Sequence, residues 1–79
     1  MGLFLKFYYY SYYIAGVYTA VCMRRRLTHV PRNLMTSIQV MDASNNEMVA
    51  LRDDEFKTYP WLKEVYLQDN KLVIEKKDN

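Results

Sequence analysis

The sequence predicts a membrane protein with a single N-terminal transmembrane α-helix, followed by a short tail with extended or β-hairpin segments and no independent core. Residues 7–23 contain no charged side chain, and three consecutive arginines, Arg24, Arg25 and Arg26, follow directly. A chain of 79 residues buries only about 60% of the surface that its unfolded form exposes. We therefore expect neighbouring chains to stabilise it.

The uncharged segment has the length of a membrane-spanning helix. At the helical rise per residue, residues 7–23 would extend roughly 26 Å and residues 2–23 roughly 33 Å, which bracket a hydrocarbon core of about 30 Å. Lys6 is the one charged residue that the longer segment adds, and its side chain can reach the headgroups from the first turns. A helix lying in the interface would need a face rich in Lys or Arg, which residues 7–23 lack.

Small side chains recur along one side of this predicted helix. Ser11, Ala15 and Thr19 follow a spacing of four residues, and Gly16 with Ala20 forms a neighbouring pair of the same kind. In lipid, helices associate through small residues that allow close backbone approach. The sequence therefore predicts a packing face that contacts the transmembrane helices of a larger protein complex.

The tyrosines of this segment leave alternatives open. Six of the 17 residues between positions 7 and 23 are tyrosines, and buried phenol hydroxyls need hydrogen-bond partners. Either a helical bundle supplies those partners or the tyrosines lie at one membrane interface. A segment buried inside a soluble particle, such as a ribosome, is the third interpretation.

The charges are unevenly distributed along the chain. Five basic residues and no acidic ones precede residue 33, whereas all nine acidic residues and six basic ones follow. Basic residues flanking a span favour the inside of a membrane, so Lys6 and residues 24–26 set the topology and contact phospholipid headgroups. The C-terminus would face the mitochondrial matrix, or the cytoplasm in the endoplasmic reticulum or plasma membrane. The acidic second half argues against nucleic-acid binding.

Three segments follow from these features. Residues 1–26 are the predicted transmembrane helix with its basic stop, residues 27–35 a linker that leaves the membrane, and residues 36–79 a peripheral tail on the inside. Pro31 lies in the linker, where it ends any helix that continues past the arginines.

The tail contains turn signals between short apolar runs. Residues 36–42 favour a strand, residues 43–59 are equally compatible with a helix and with a returning strand, and residues 65–76 indicate a clearer hairpin. Tyr59 and Trp61 lie on either side of a proline. We expect these two aromatic side chains to anchor the tail on neighbouring chains.

The residue types required for catalysis or metal binding are scarce. The chain has one cysteine and one histidine, and it contains no glycine-rich phosphate loop and no Ser/His/Asp set. A metal cluster needs several such ligands. The sequence therefore predicts a protein that is not an enzyme, with no catalytic residue, cofactor or metal site.

The layout of one span followed by a basic stop resembles that of the small single-pass accessory subunits of mitochondrial respiratory complexes and ATP synthase. The resemblance implies a non-catalytic structural subunit of the mitochondrial inner membrane that stabilises or assembles the core of its complex. A single-pass regulatory microprotein that binds a channel or transporter is the alternative. A small RNA-bound ribosomal protein is the third hypothesis.

Overall fold

A computed structural model describes residues 10–73 and shows a four-stranded β-sheet. Its strands are β1 (Tyr10–Ile14), β2 (Val17–Val21), β3 (Val40–Asp42) and β4 (Glu64–Tyr66). The spatial order follows the chain order. β1 pairs antiparallel with β2, whereas β2, β3 and β4 are parallel to one another.

The predicted transmembrane helix is wrong, because its central part forms the β1–β2 hairpin. Both strands are rich in aromatic and β-branched residues, which favour a pleated half-exposed surface over a helix. Ala15 and Gly16 form the turn with φ angles of 52° and 81°, and two-residue hairpin turns with positive φ at both positions match the twist of paired strands. Residues 10–73 contain no helix with the length and hydropathy that a membrane span requires. The first turns of the predicted helix, including Lys6, lie outside the described residues.

The tail also differs from the prediction. β3 lies within the predicted strand at residues 36–42, but residues 43–59 form loops and turns and neither the helix nor the returning strand. β4 pairs with β3 and not with residues 70–73, so the predicted hairpin over residues 65–76 is wrong in its described part. The remainder of that hairpin lies outside the described residues.

The hydrophobic core lies on one side of the parallel strands. Ala20, Met41 and Val65 occupy one row across β2, β3 and β4, and the first two are fully buried. The buried members of this core are Ala20, Cys22, Leu27, Val30, Ile38, Met41, Ala43, Met48 and Tyr59. Residues of the predicted span, linker and tail therefore share one core, and this single β-sheet domain replaces the predicted transmembrane helix with a tail that has no independent core.

The backbone repeats itself from one parallel strand to the next. Thr19 pairs with Val40 and Val40 pairs with Glu64, so the units are offset by 21 and 24 residues. After each parallel strand the chain turns through an equivalent residue with positive φ, and these residues are Arg24, Asn45 and Asp69 with φ of 56°, 57° and 60°. The turn after β2 has a second such residue, Arg26, with φ of 55°. The sheet is therefore a stack of three strand–turn units with the same turn.

Asn46 joins two of these units through its side chain. Its Oδ1 accepts hydrogen bonds from the backbone N–H groups of Arg25, at 2.9 Å, and Leu27, at 3.0 Å. Its Nδ2 donates to the Cys22 carbonyl in the preceding unit at 2.9 Å. Since Asn46 is only 5% exposed, water cannot readily replace these bonds.

Asn70 occupies the same place one unit later. Its Nδ2 donates to the Ala43 carbonyl at 3.0 Å, and its Oδ1 accepts the Met48 N–H at 3.0 Å. The two asparagines therefore bond each unit to the one before it. Arg25 stands at the corresponding position of the first unit, and within residues 10–73 its buried Nε has no hydrogen-bond partner.

Candidate functional site

The strands present a second face, opposite the core, on which most side chains are half-buried or exposed. Side chains alternate along a strand, so Val40 and Asp42 lie on the face opposite to Met41. This face forms a shallow depression of about 520 Å³. We call it the open sheet face, and its residues are Tyr12, Val17, Thr19, Val21, Met23, Val40, Asp42, Glu64 and Tyr66.

Aromatic and aliphatic side chains make up most of the open sheet face. Tyr12 from β1 and Tyr66 from β4 are each 44% exposed and come from the two outer strands of the sheet. Val21 and Val40 lie on the two strands between them. Aromatic residues are enriched where proteins contact one another. The arrangement is therefore suited to a macromolecular partner.

Two carboxylates lie on the same face. Asp42 accepts hydrogen bonds through Oδ1 from the Ser44 backbone N–H, at 3.1 Å, and from the Ser44 hydroxyl, at 2.6 Å. Glu64 Oε2 accepts the Tyr66 hydroxyl hydrogen at 2.7 Å. That hydrogen bond is the main cause that raises the pKa of Tyr66, and the negative charges of Glu64 and Asp42 act in the same direction. Tyr66 therefore remains a protonated donor at neutral pH.

Neither carboxylate is neutralised by a basic side chain within residues 10–73. The ion pairs in this part of the chain join Arg52 to Asp54 at 3.5 Å and Lys71 to Glu47 at 3.9 Å. The lining of the depression contains two acids and no base. The open sheet face is therefore a negatively charged surface with aromatic borders.

The structure does not bring the residues of the predicted packing face onto one surface. Ser11 and Ala20 are partners across the β1–β2 hairpin, and Ala20 is buried in the core. Thr19 lies on the opposite, open sheet face, while Ala15 and Gly16 form the exposed turn. The helical spacing that grouped these five residues has no counterpart in a strand.

The three consecutive arginines lie in the turn that follows β2. Arg24 and Arg26 are exposed and have positive φ, whereas Arg25 is half-buried between them. Their predicted contact with phospholipid headgroups stays a prediction.

The two predicted anchors of the tail have different surroundings. Tyr59 is buried in the core, where its hydroxyl donates to the Pro31 carbonyl and accepts the Leu34 N–H at 3.3 Å. Trp61 is 66% exposed and borders a cavity of about 310 Å³ with Tyr13 and Tyr18. Tyr59 thus holds the predicted linker against the tail within this chain, whereas Trp61 remains an exposed surface residue.

Cys22 lies beneath the sheet and is fully buried. Burial and the negative charge of Asp42 raise the pKa of its thiol from 9.0 to about 11, although Arg25 partly opposes the shift. Thiolates, and not thiols, react with alkylating reagents. In residues 10–73 no three His, Cys, Asp or Glu side chains are placed to hold a metal ion.

We expect native Cys22 to react with iodoacetamide at pH 8 at least about 100-fold more slowly than in urea, because the raised pKa lowers its thiolate fraction by about that factor and burial also keeps the reagent from the sulfur. Stability should change with the same ionisation. The unfolded thiol ionises from about pH 9, and the folded one only near pH 11. The stabilisation that the neutral, buried thiol provides is therefore complete below pH 9 and is lost as the pH rises towards 11. The urea midpoint of the parent chain should therefore fall more over this range than that of Cys22→Ala. Equal falls in the two urea midpoints would contradict the raised pKa of Cys22.

The stacked units correspond to a repeat that the sequence analysis missed. One copy reads Ile38-x2-Met41-x-Ala43-x2-Asn46-x-Met48, and the next reads Leu62-x2-Val65-x-Leu67-x2-Asn70-x-Leu72. Their spacing resembles the pattern L-x-x-L-x-L-x-x-N-x-L of leucine-rich repeats, in which each unit supplies one parallel strand. Alignment of Asn46 with Asn70 would have shown the repeat. It is inconspicuous because Ile, Met and Ala replace leucine in the first copy.

Comparisons with known proteins point in the same direction. The chain is similar to a leucine-rich repeat and immunoglobulin-like domain-containing nogo receptor-interacting protein 1 of Xenopus tropicalis, with 36% identity over 56 residues, which are 71% of this chain and 9% of that protein. It is also similar to a leucine-rich repeat-containing G-protein coupled receptor 4 of Bos taurus, with 39% identity over 51 residues, 65% of this chain and 5% of that protein. The chain thus spans less than a tenth of either relative. No protein-family model matches it.

These findings correct the predicted function and location. The hairpin replaces the helix on which an accessory subunit of a respiratory-chain or ATP synthase complex depended, and the similar proteins are leucine-rich repeat proteins. The predicted function, its place in the mitochondrial inner membrane and the matrix-facing tail are therefore wrong. The alternative, a single-pass regulatory microprotein, depended on the same helix and is wrong for the same reason.

Proposed function

We propose that this chain consists of leucine-rich repeats and acts as a non-catalytic binding module whose open sheet face contacts a partner protein. The observation that carries the proposal is the repeated strand–turn unit with Asn46 and Asn70 at equivalent places. A repeat of this kind buries one side of each strand against the core and leaves the other side accessible. The similarity to two leucine-rich repeat proteins supports it.

The chemistry of the open sheet face favours binding over catalysis. The face combines exposed tyrosines with aliphatic side chains on strands, a combination typical of contact surfaces. The names of both similar proteins refer to receptors, which favours a setting at the cell surface.

Site-specific photocrosslinking tests this proposal. A benzophenone amino acid would replace Tyr12, Thr19 or Tyr66 on the open sheet face, and exposed Val49 or Leu51 in the loop after β3 as matched controls. We expect chains labelled on the open sheet face to crosslink to one discrete partner protein. Chains labelled in the loop should crosslink to none. Added unlabelled chain should compete for that partner protein. Crosslinking from the loop positions alone would overturn the proposal.

A further inference from the structure

The two carboxylates of the open sheet face lie close together on adjacent strands. Asp42 is paired with Tyr66, and Glu64 lies two residues before Tyr66 on the same side of β4. A strand spacing of about 4.8 Å and a rise of about 3.3 Å per residue place the Cα atoms of Asp42 and Glu64 roughly 8 Å apart. One ammonium or guanidinium group can contact both carboxylates across such a distance.

The negative charges of both carboxylates act on the Tyr66 hydroxyl group. The hydrogen bond from Tyr66 to Glu64, together with the charges of Glu64 and Asp42, disfavours a further negative charge on the Tyr66 oxygen. A cation near the Tyr66 oxygen would instead be attracted by both carboxylates. Half-buried Val40 beside them provides aliphatic contact surface.

We propose that the open sheet face recognises a peptide segment that presents a Lys or Arg side chain next to an apolar one. The basic group lies between Asp42 and Glu64, and its aliphatic stem packs against Val40 and the Tyr66 ring. The apolar neighbour rests on Tyr12, which lies on the same face and is 44% exposed. This inference rests on the proposed function and adds the chemistry of the partner, because the face contains two acids and no base to pair with them.

Peptide selection on the full chain tests the inference. A random 12-residue display library would be selected on the parent chain, and the affinities of the enriched peptides measured for two double variants. Asp42→Asn with Glu64→Gln removes both charges but retains oxygens that accept hydrogen bonds from Ser44 and Tyr66. Asp53→Asn with Asp54→Asn removes two exposed acids from the loop after β3 and serves as the control.

We expect the enriched peptides to contain Lys or Arg beside an aliphatic or aromatic residue. Their dissociation constants should rise at least 10-fold with the Asp42/Glu64 variant, less than 2-fold with the Asp53/Asp54 variant, and steeply with added salt. Equal urea midpoints of the two variants would show that both are folded. Equal binding to both variants would overturn the inference.

Backbone NMR shifts separate this inference from the proposed function. Peptides without basic residues that perturb the amides of β3 and β4 would overturn the charge recognition and leave the binding face intact. Peptides that perturb none of these amides would overturn both.

Discussion

Asn46→Ala should destabilise the chain by roughly 3–5 kcal/mol. The substitution removes the acceptor of the Arg25 and Leu27 N–H groups and the donor to the Cys22 carbonyl. Each buried polar group left without a partner costs about 1–3 kcal/mol. The total stability of a chain of this size is about 4–12 kcal/mol, so the loss is a large part of it. The urea midpoint, followed by circular dichroism, measures the change.

Two further asparagine variants serve as controls. Asn33→Ala should change the free energy of unfolding by less than about 0.5 kcal/mol, because this exposed side chain makes no hydrogen bond within residues 10–73. Asn70→Ala should have an intermediate effect, since Asn70 is only half-buried. An Asn46→Ala variant as stable as Asn33→Ala would show that the asparagine bonds do not hold the units together.

Tyr59→Ala should cost about 3–5 kcal/mol, the usual loss for a large aromatic side chain removed from a core. Tyr59 is 2% exposed and belongs to the buried core, against which the partly buried residues of the third strand–turn unit also pack. Tyr59→Phe should cost about 1–3 kcal/mol, because the Pro31 carbonyl and the Leu34 N–H lose their partner. Urea unfolding of the full chain would measure both free energies.

The Phe variant should also loosen the segment that the Tyr59 hydroxyl holds. We expect faster trypsin cleavage after Arg32, which is exposed beside Pro31, with a smaller fall in the urea midpoint than Tyr59→Ala causes. Trp61→Ala is the matched control, since it removes an aromatic side chain that is 66% exposed. A Trp61→Ala variant less stable than Tyr59→Ala would contradict the placement of these two residues.

Local sequence patterns located some elements and misassigned others. The strand predicted at residues 36–42 contains β3, although the buried residues there are Ile38 and Met41 and not an alternating pair. The uncharged run at residues 7–23 has the length of a transmembrane helix, yet length and lack of charge do not distinguish a helix from two paired strands. The Ala15–Gly16 turn and the flanking tyrosines are what indicate a hairpin and not a helix.

The candidate site could not be assembled from local patterns. Asp42 and Glu64 are 22 residues apart in the chain, and the parallel pairing of β3 with β4 makes them neighbours. Parallel strands are joined by long connections, so their register depends on the whole repeat and not on a turn. The repeat itself was present in the sequence, but the replacement of leucine by Ile, Met and Ala concealed it.

The sequence by itself determined the uneven charge distribution, the turn residues and the two aligned copies of the repeat. Tertiary structure decided that the aromatic run pairs as a hairpin, that Tyr59 is buried while Trp61 is exposed, and which side of each strand faces outward. The physical reason is that one side of every strand must be buried against a core formed by residues distant in the chain. The acids of the open sheet face become neighbours as a consequence of that burial.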